Sequence, residues 1–445
     1  MVIRSNTLIN YAFYSLVFLC FLIIYTVDGI NSDFKVLFTN LLIGLVSLFF
    51  MFNGDRYNFS LNKMFMLFSF FFFAIAPALQ YQYGVVLWSG PSFSDEDYYY
   101  LNVVILCILF IYQGLYHLFR KLQASKFETT VVKILNEKRK LIGNRLLILS
   151  LISLVITLYF YNFNLTNLLF RAGDTGRVAV NQTISLIFAN FLLPIPVICL
   201  VFFKKYELNN RLLEFSLLAI VLISNFPTSK ARFYIAAMYI PLLILYFKQL
   251  NKKYMLLNKI LIFGFLIVFP FLDQARKYNN FSDFKFSLDF HMFLQGHFDS
   301  FQMFMRAIDS NIITYGQQLL TAIFFFVPRA IWPEKSIGSG YLVSHNVGLS
   351  FDNISMNYFG EGYVNFGYLG ILIFTLILAF VTAKLDKMYW LKLEKNSSLS
   401  VFYLFLLGLL FFILRGDLLS SFAYTMGICA SVFFVHTIAL KKSKE

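Results

Sequence analysis

Charge is scarce in this chain. Only 13% of its 445 residues are Asp, Glu, Lys or Arg, 59% are apolar, and the mean hydropathy is +0.70. Soluble domains average about a quarter charged, so this composition excludes a string of water-soluble domains. Cysteine is nearly missing: Cys20, Cys107, Cys199 and Cys429 sit singly inside apolar runs. That excludes a disulfide framework and a CxxC metal site. No internal repeat is present, and the apolar runs lack central acids or lysines, which weighs against an ion-coupled transporter. A cleavable leader is not expected either. Arg4 precedes the apolar run Leu8–Val27, which exceeds a signal-peptide core and has no small-residue cleavage site after it.

What is present is apolar length. A span needs roughly 20 mostly apolar residues, and twelve runs qualify as candidates: 8–27, 36–52, 64–80, 99–118, 146–162, 183–203, 213–226, 232–248, 256–272, 363–383, 399–414 and 418–440. The expected fold class is an all-α integral membrane protein. With both termini inside, 25 of the 37 Lys and Arg lie in the cytoplasm and 12 outside, the sense required by the positive-inside rule. The net charge of +14 therefore reads as cytoplasmic loops, not as a nucleic-acid surface. The chain divides into spans over 1–272, a large outer loop over 273–362 and spans over 363–445. A loop of that length is usually functional. Within it, Asp289–Ile313 has near-helical apolar spacing that predicts an amphipathic helix on the membrane, and Leu319–Val327 is too short to span.

Arginine and lysine are sorted between the two sides. The outer segments hold seven Arg (171, 177, 232, 276, 306, 329, 415) and five Lys, against six Arg and nineteen Lys inside. Orientation needs only positive charge, whereas the planar guanidinium fork is favoured where phosphate is gripped. Three outer clusters follow. Phe170–Arg177 is a Gly-rich loop carrying Arg171 and Arg177, able to cradle an anion or to pair internally with Asp174. Asn225–Arg232 is a tight link in which Pro227 and Ser229 are expected to cap the next helix, setting Lys230 and Arg232 at its N-terminus. Cations there oppose the helix dipole unless an anion sits opposite. Residues 326–370 combine Arg329, Trp332, Lys335, His345, Asn346, Glu361 and several Gly, the mixture of aromatic, amide and carboxylate groups that saccharides need. Trp332 also fits an interfacial anchor. Asp95-Glu96-Asp97 has acid-x-acid spacing that suits a divalent metal, but reads better as an acidic helix start.

At Arg329 the sequence resembles a known family. Pro328-Arg329-Ala-Ile-Trp332-Pro333, with Gly340 ten intervening residues beyond Arg329, is similar to the Arg-x10-Gly motif of bacterial O-antigen (Wzy-type) polymerases. Gly360-Glu361-Gly-Tyr363-Val-Asn365-Phe366-Gly367 is similar to a second stretch common in that family. The resemblance implies a GT-C-like, metal-independent glycosyltransferase of the inner membrane, with its active site facing the periplasm. Its substrate would be an undecaprenyl-pyrophosphate-linked oligosaccharide, and polymerisation of such repeat units its activity. It would use no cofactor, with a chain-length regulator protein as a partner to look for. It makes Arg329 a pyrophosphate ligand, with Arg171, Arg177, Arg232 and Lys230 competing for a second such role, since neither Arg171 nor Arg177 has the matching Gly. Glu361 first and His345 second become the acceptor's base, and Trp332, Asn346 and Tyr363 the sugar contacts. O-antigen ligases carry a His in the same loop, as His345-Asn346 does, and are the nearest rival. A lipid-linked oligosaccharide flippase is a more distant one.

Overall fold

The computed structural model describes residues 13–15, 17–19, 21–26, 29–122, 136–169, 182–227, 229–268, 290–391 and 397–440. Among them all regular structure is helical: α1 Phe34–Asn53, α2 Leu61–Gln82, α3 Asp95–Leu122, α4 Asn136–Phe160, α5 Ile184–Lys205, α6 Arg211–Ser224, α7 Arg232–Tyr246, α8 Leu256–Ile267, α9 Ser300–Asp309, α10 Gln317–Ile323, α11 Ser339–Val347, α12 Tyr358–Leu391, α13 Ser398–Arg415 and α14 Leu418–Leu440. Eight of these, α1 to α5 and α12 to α14, are long and apolar enough to cross a bilayer. The chain is a multi-pass membrane protein. Physical chemistry supports this on the helix surfaces: α12 exposes Leu369, Leu372, Ile373, Leu376, Ile377 and Phe380 while burying Ile371, Phe374, Leu378 and Ala379. A continuous apolar stripe of that kind is costly in water and neutral in lipid.

Against the twelve spans expected, eight helices among the described residues reach spanning length. The runs 213–226 and 232–248 become α6 and α7, of 14 and 15 residues, roughly 21–23 Å at 1.5 Å per residue. Such lengths fall short of a hydrocarbon core of about 30 Å. In the opposite direction, α12 starts at Tyr358 and runs to Leu391, so Gly360, Glu361 and Gly362, expected at the end of the outer loop, lie in its first turns. The extension also buries Asp386, which accepts from the Tyr403 hydroxyl at 2.6 Å.

The chain forms two compact units. The first comprises 1–119, 255–318 and 337–381; the second 120–254, 319–336 and 382–445. In the first, α2 is enclosed along its whole length. Pro77 removes one backbone donor inside it, and the helix widens to π geometry over Phe70–Ile75. The Phe73 carbonyl that Pro77 cannot serve is taken by Asn40 Nδ2 of α1 at 3.2 Å. At the start of α2, Lys63 pairs with Asp55, both side chains fully buried. Asp55 also accepts from Ser60 Oγ at 2.6 Å and Asn62 Nδ2 at 3.1 Å.

The second unit meets the same problem in α5, which carries Pro194 and Pro196 after a π segment at Phe188–Leu192, and three side chains serve carbonyls around the prolines. Ser153 Oγ donates to the Leu192 carbonyl at 2.8 Å, Ser431 Oγ to that of Phe191 at 2.7 Å, and Asn225 Nδ2 to that of Leu193 at 3.2 Å. Where no water reaches, each freed carbonyl needs such a donor.

The amphipathic stretch at Asp289–Ile313 also needs correction. Its regular helix is only α9, and Ser300 through Ala307 are all buried, so it packs inside the first unit instead of lying on a membrane. The polar face that suggested a surface is internally bonded. Gln302 donates to Gln80 Oε1 at 3.2 Å and the Val85 carbonyl at 2.8 Å, and accepts from Leu87 N at 2.9 Å.

Candidate functional site

In the second unit Arg329 follows α10 in successive turns. Ile331 N and Trp332 N both donate to the Pro328 carbonyl at 3.0 Å, and Lys335 N donates to Trp332 O at 3.1 Å. Pro328 and Pro333 fix φ on either side. The Arg329 side chain is exposed. Its two terminal nitrogens donate to the carbonyls of Lys335 and, at 3.0 Å, Ser336. Lys335 Nζ reaches back to the carbonyls of Phe325 and Val327 at 2.6 and 2.9 Å. The loop is therefore closed by its own cations. Burial, and then the neighbouring Arg329, hold the Lys335 ammonium below its ordinary range. Among the described residues neither cation meets a carboxylate in an ion pair. Trp332 is half-buried beside them.

The Asn225–Arg232 link departs from expectation. The N-cap of α7 is Ala231, with no side-chain cap, and Ser229 Oγ instead bonds the Phe226 carbonyl at 3.1 Å. Lys230 is buried. Its Nζ donates to the Tyr161 hydroxyl at 2.9 Å and lies 4.5 Å from the centre of that ring. Lys230 immediately precedes the N-cap of α7, but its ammonium is engaged by Tyr161 inside the unit. Arg232 opens α7 and is half-buried. Arg171 and Arg177 lie outside the described residues.

In the first unit Glu361 stands in the first turn of α12, 1% exposed. Asn357 starts that helix by accepting from Phe359 N and Gly360 N at 3.0 and 2.9 Å, and a carboxylate in the first turn suits the helix dipole. Ser339 Oγ, the first residue of α11, donates to Glu361 Oε2 at 2.7 Å. Gly340 beside it has no room for a side chain, since a Cβ would lie 2.0 Å from the Ile354 carbonyl. Beyond Glu361 the helix breaks at Phe366 and Gly367, the latter at φ +62°, a conformation that glycine adopts without strain. Gly362 and Gly370 then close on each other across the break.

The loop before α10 docks onto this break. Thr314 N and Oγ1 donate to the Val364 carbonyl at 2.7 and 2.9 Å, and Gly316 N to that of Asn365 at 3.0 Å. Tyr363 is buried, with its hydroxyl donating to Asn311 Oδ1 at 3.0 Å. His345 and Asn346 are exposed on α11. The His345 ring stacks on Tyr341 at 5.8 Å, and Asn346 Nδ2 bonds back to the Leu342 carbonyl at 2.8 Å. Asp95–Asp97 begin α3 as expected: Asp95 accepts from Tyr81 at 2.6 Å, and Asp97 from Ser94 N and Oγ at 2.7 and 2.8 Å. Among the described residues no group of three or more His, Cys, Asp or Glu is arranged to hold a metal.

Arg329, Trp332, Lys230 and Arg232 thus belong to the second unit, and Glu361, His345, Asn346 and Tyr363 to the first. Sequence reasoning missed Ser339 as the partner of Glu361, Asn357 as the cap and Asn311 as the partner of Tyr363. All three are short polar residues whose role depends on distant partners. Comparison with protein-family models, curated proteins and solved structures gives no match.

Proposed function

We propose that this membrane protein joins lipid-linked oligosaccharides by glycosyl transfer, in the manner of an O-antigen (Wzy-type) polymerase acting outside the inner membrane on undecaprenyl-pyrophosphate-linked repeat units. The observation that carries the reading is the Arg329 loop. An exposed guanidinium is shaped by two carbonyls of its own loop, a second cation stands beside it, and no carboxylate neutralises either among the described residues. Two adjacent cations without a counter-acid favour an anion, and a pyrophosphate is the anion such substrates carry. The match of Arg329 and Gly340 to the family motif supports the same reading.

In this chemistry the acceptor hydroxyl oxygen bonds to the anomeric carbon of the donor glycan. The bond from that carbon to the pyrophosphate oxygen breaks, and the electron pair leaves with the lipid pyrophosphate. Arg329 steadies the charge that builds on the leaving group. The acceptor proton goes to a base, for which Glu361 is the first assignment and His345 the second. An acceptor hydroxyl would take the position that Ser339 now holds on Glu361 Oε2. Loss of proton transfer to a positioned base costs about 10²–10⁴-fold, so Glu361→Gln should fall by that much while Ser339→Ala keeps most activity.

The test is Arg329→Ala in cells at normal expression. A charge-assisted hydrogen bond is worth about 1.5–3 kcal/mol, and 1.36 kcal/mol is a factor of ten. Transfer should therefore slow roughly ten- to a hundred-fold, with partial rescue by Arg329→Lys. Surface glycan should shift from long chains to single repeat units on lipid A–core. An unchanged ladder of chain lengths would remove Arg329 from the reaction. The exposed His345 favours one alternative, a ligase. Its loss would leave bare core while polymer accumulates on the lipid carrier.

A further inference from the structure

A second polar constellation in the first unit has, apart from Tyr363, no role assigned so far. It gathers Asp309 at the end of α9, Asn311 after it, Tyr100 of α3, and Tyr363 and Tyr368 on either side of the α12 break. Two hydrogen-bond relays run through it and stop short of a final acceptor. Tyr363 donates to Asn311 Oδ1 at 3.0 Å, which orients the amide and leaves both Nδ2 hydrogens without a protein acceptor among the described residues. Tyr100 donates to Tyr368 at 2.9 Å, which leaves the Tyr368 hydroxyl hydrogen free to donate onward. Tyr100 and Tyr368 are 46% and 53% exposed, and Asn311 is exposed beside them. The Asp309 carboxylate is also exposed, lies within electrostatic reach of Tyr363 and Tyr368, and accepts no hydrogen bond among the described residues.

The support beneath this surface is tied down by hydrogen bonds to α12. Asn311 sits at φ +49° and Tyr315 at φ +50°, a region that Asn tolerates but that Tyr holds only where its surroundings impose it. Those surroundings are the bonds from Thr314 and Gly316 to the carbonyls of Val364 and Asn365. Under Asp309 lies Arg306, 2% exposed, with its Nε unpaired and Nη2 bonded to the Pro91 carbonyl at 3.2 Å. Its guanidinium also stacks 4.5 Å from the centre of the Phe93 ring. A buried cation with most donors unused needs compensation from nearby negative charge or a polar ligand.

We infer that Asp309, Asn311 and Tyr368, held by Tyr363, Tyr100 and Arg306, form a saccharide-binding site that takes a vicinal diol of a repeat-unit sugar. A diol offers two hydroxyl donors to one carboxylate and two oxygens to the amide and phenol donors, and the exposed tyrosine faces offer surface for sugar C–H groups. The inference rests on the reading of the chain as a glycan-transferring protein, for which this is the acceptor's contact. Partial burial and the nearby Asp97 hold the Asp309 carboxyl above its ordinary range against the opposing pull of Arg306, so it accepts hydroxyl donors readily.

The experiment uses full-length protein in nanodiscs and, as probe, the free oligosaccharide released by mild acid from the host's lipid-linked repeat units. Binding is read by saturation-transfer NMR and titration. Asp309→Asn, Asn311→Asp and Tyr368→Phe keep volume and, at Asn311, tolerance of positive φ; each should weaken binding about tenfold or more. Tyr83→Phe, an exposed tyrosine outside the cluster, should leave it unchanged. Tight binding by all three variants, or no binding by the unaltered protein, would overturn the site. Vesicles carrying lipid-linked repeat units separate the two claims. If the unaltered protein does not polymerise yet these variants alone lose saccharide, the polymerase reading fails and the site stands. If it polymerises and the variants keep the acceptor KM and the affinity, the site fails and the polymerase reading stands.

Discussion

Lys63 and Asp55 are fully buried and directly paired, with Ser60, Asn62 and the Tyr57 N–H closing the remaining acceptor positions of Asp55. Breaking such a pair from one side leaves a buried charge behind, at about 3–5 kcal/mol. Lys63→Met should therefore lower the thermal unfolding temperature in detergent much more than Lys63→Met combined with Asp55→Asn. Equal losses would show that the ion pair is not what holds the loop. Asp309 allows a test by pH. Its folded-state pKa lies above the ordinary 3.8, raised first by partial burial and then by Asp97, with Arg306 opposing. Across the window between the two values the folded state holds more proton than the unfolded one, so this group's contribution to stability falls as pH rises through that window. Asp309→Asn removes this titration, and its melting temperature should decline less than the unaltered protein's between pH 3.8 and the folded pKa. Matching declines would mean that Asp309 titrates freely. At this scale the exposure of Arg329 was readable from sequence, because a charged residue in a polar, proline-flanked stretch is a local property. The bond from Ser339 to Glu361 joins residues 22 apart, and no local pattern encodes it.

Elements were legible where lipid sets the rule. The runs that became α1, α3, α13 and α14 are long and apolar because a bilayer demands both. The start of α12 lies ahead of the expected span because Gly360 and Gly362 mimic loop composition, whereas the helix is begun by the Asn357 cap and its glycines serve a break and a close contact. The sequence of the buried α9 reads as a surface helix because periodicity reports an amphipathic face but not what covers it. Proline-induced gaps give a prediction here. Asn40 Nδ2 serves the Phe73 carbonyl that Pro77 leaves open, and an unsatisfied buried acceptor costs about 1–3 kcal/mol. Asn40→Ala should destabilise by that amount in the unaltered chain and by less in Pro77→Ala, where a restored N–H can take over. A double-mutant cycle with no coupling would contradict that pairing.

For the whole molecule, the eight long apolar helices and the lipid-suited stripe on α12 make the chain a multi-pass membrane protein. The sidedness expected from Lys and Arg predicts which segments meet the outside. In a chain with Cys20→Ala, Cys107→Ala, Cys199→Ala and Cys429→Ala, the exposed position Ser350→Cys should react with an impermeant thiol reagent in intact spheroplasts. The exposed position Asn209→Cys should react only after permeabilisation. The opposite pattern would invert the topology and contradict the proposal of an active site on the outer side. The central claim is catalytic, and reconstitution tests it most directly. Purified protein in vesicles carrying undecaprenyl-pyrophosphate-linked repeat units of its own host, with no nucleotide sugar added, should convert single units into a ladder of lipid-linked chains, and Arg329→Ala should slow that conversion roughly ten- to a hundred-fold. Lipid-linked units that remain single with correctly inserted, folded protein would contradict the account.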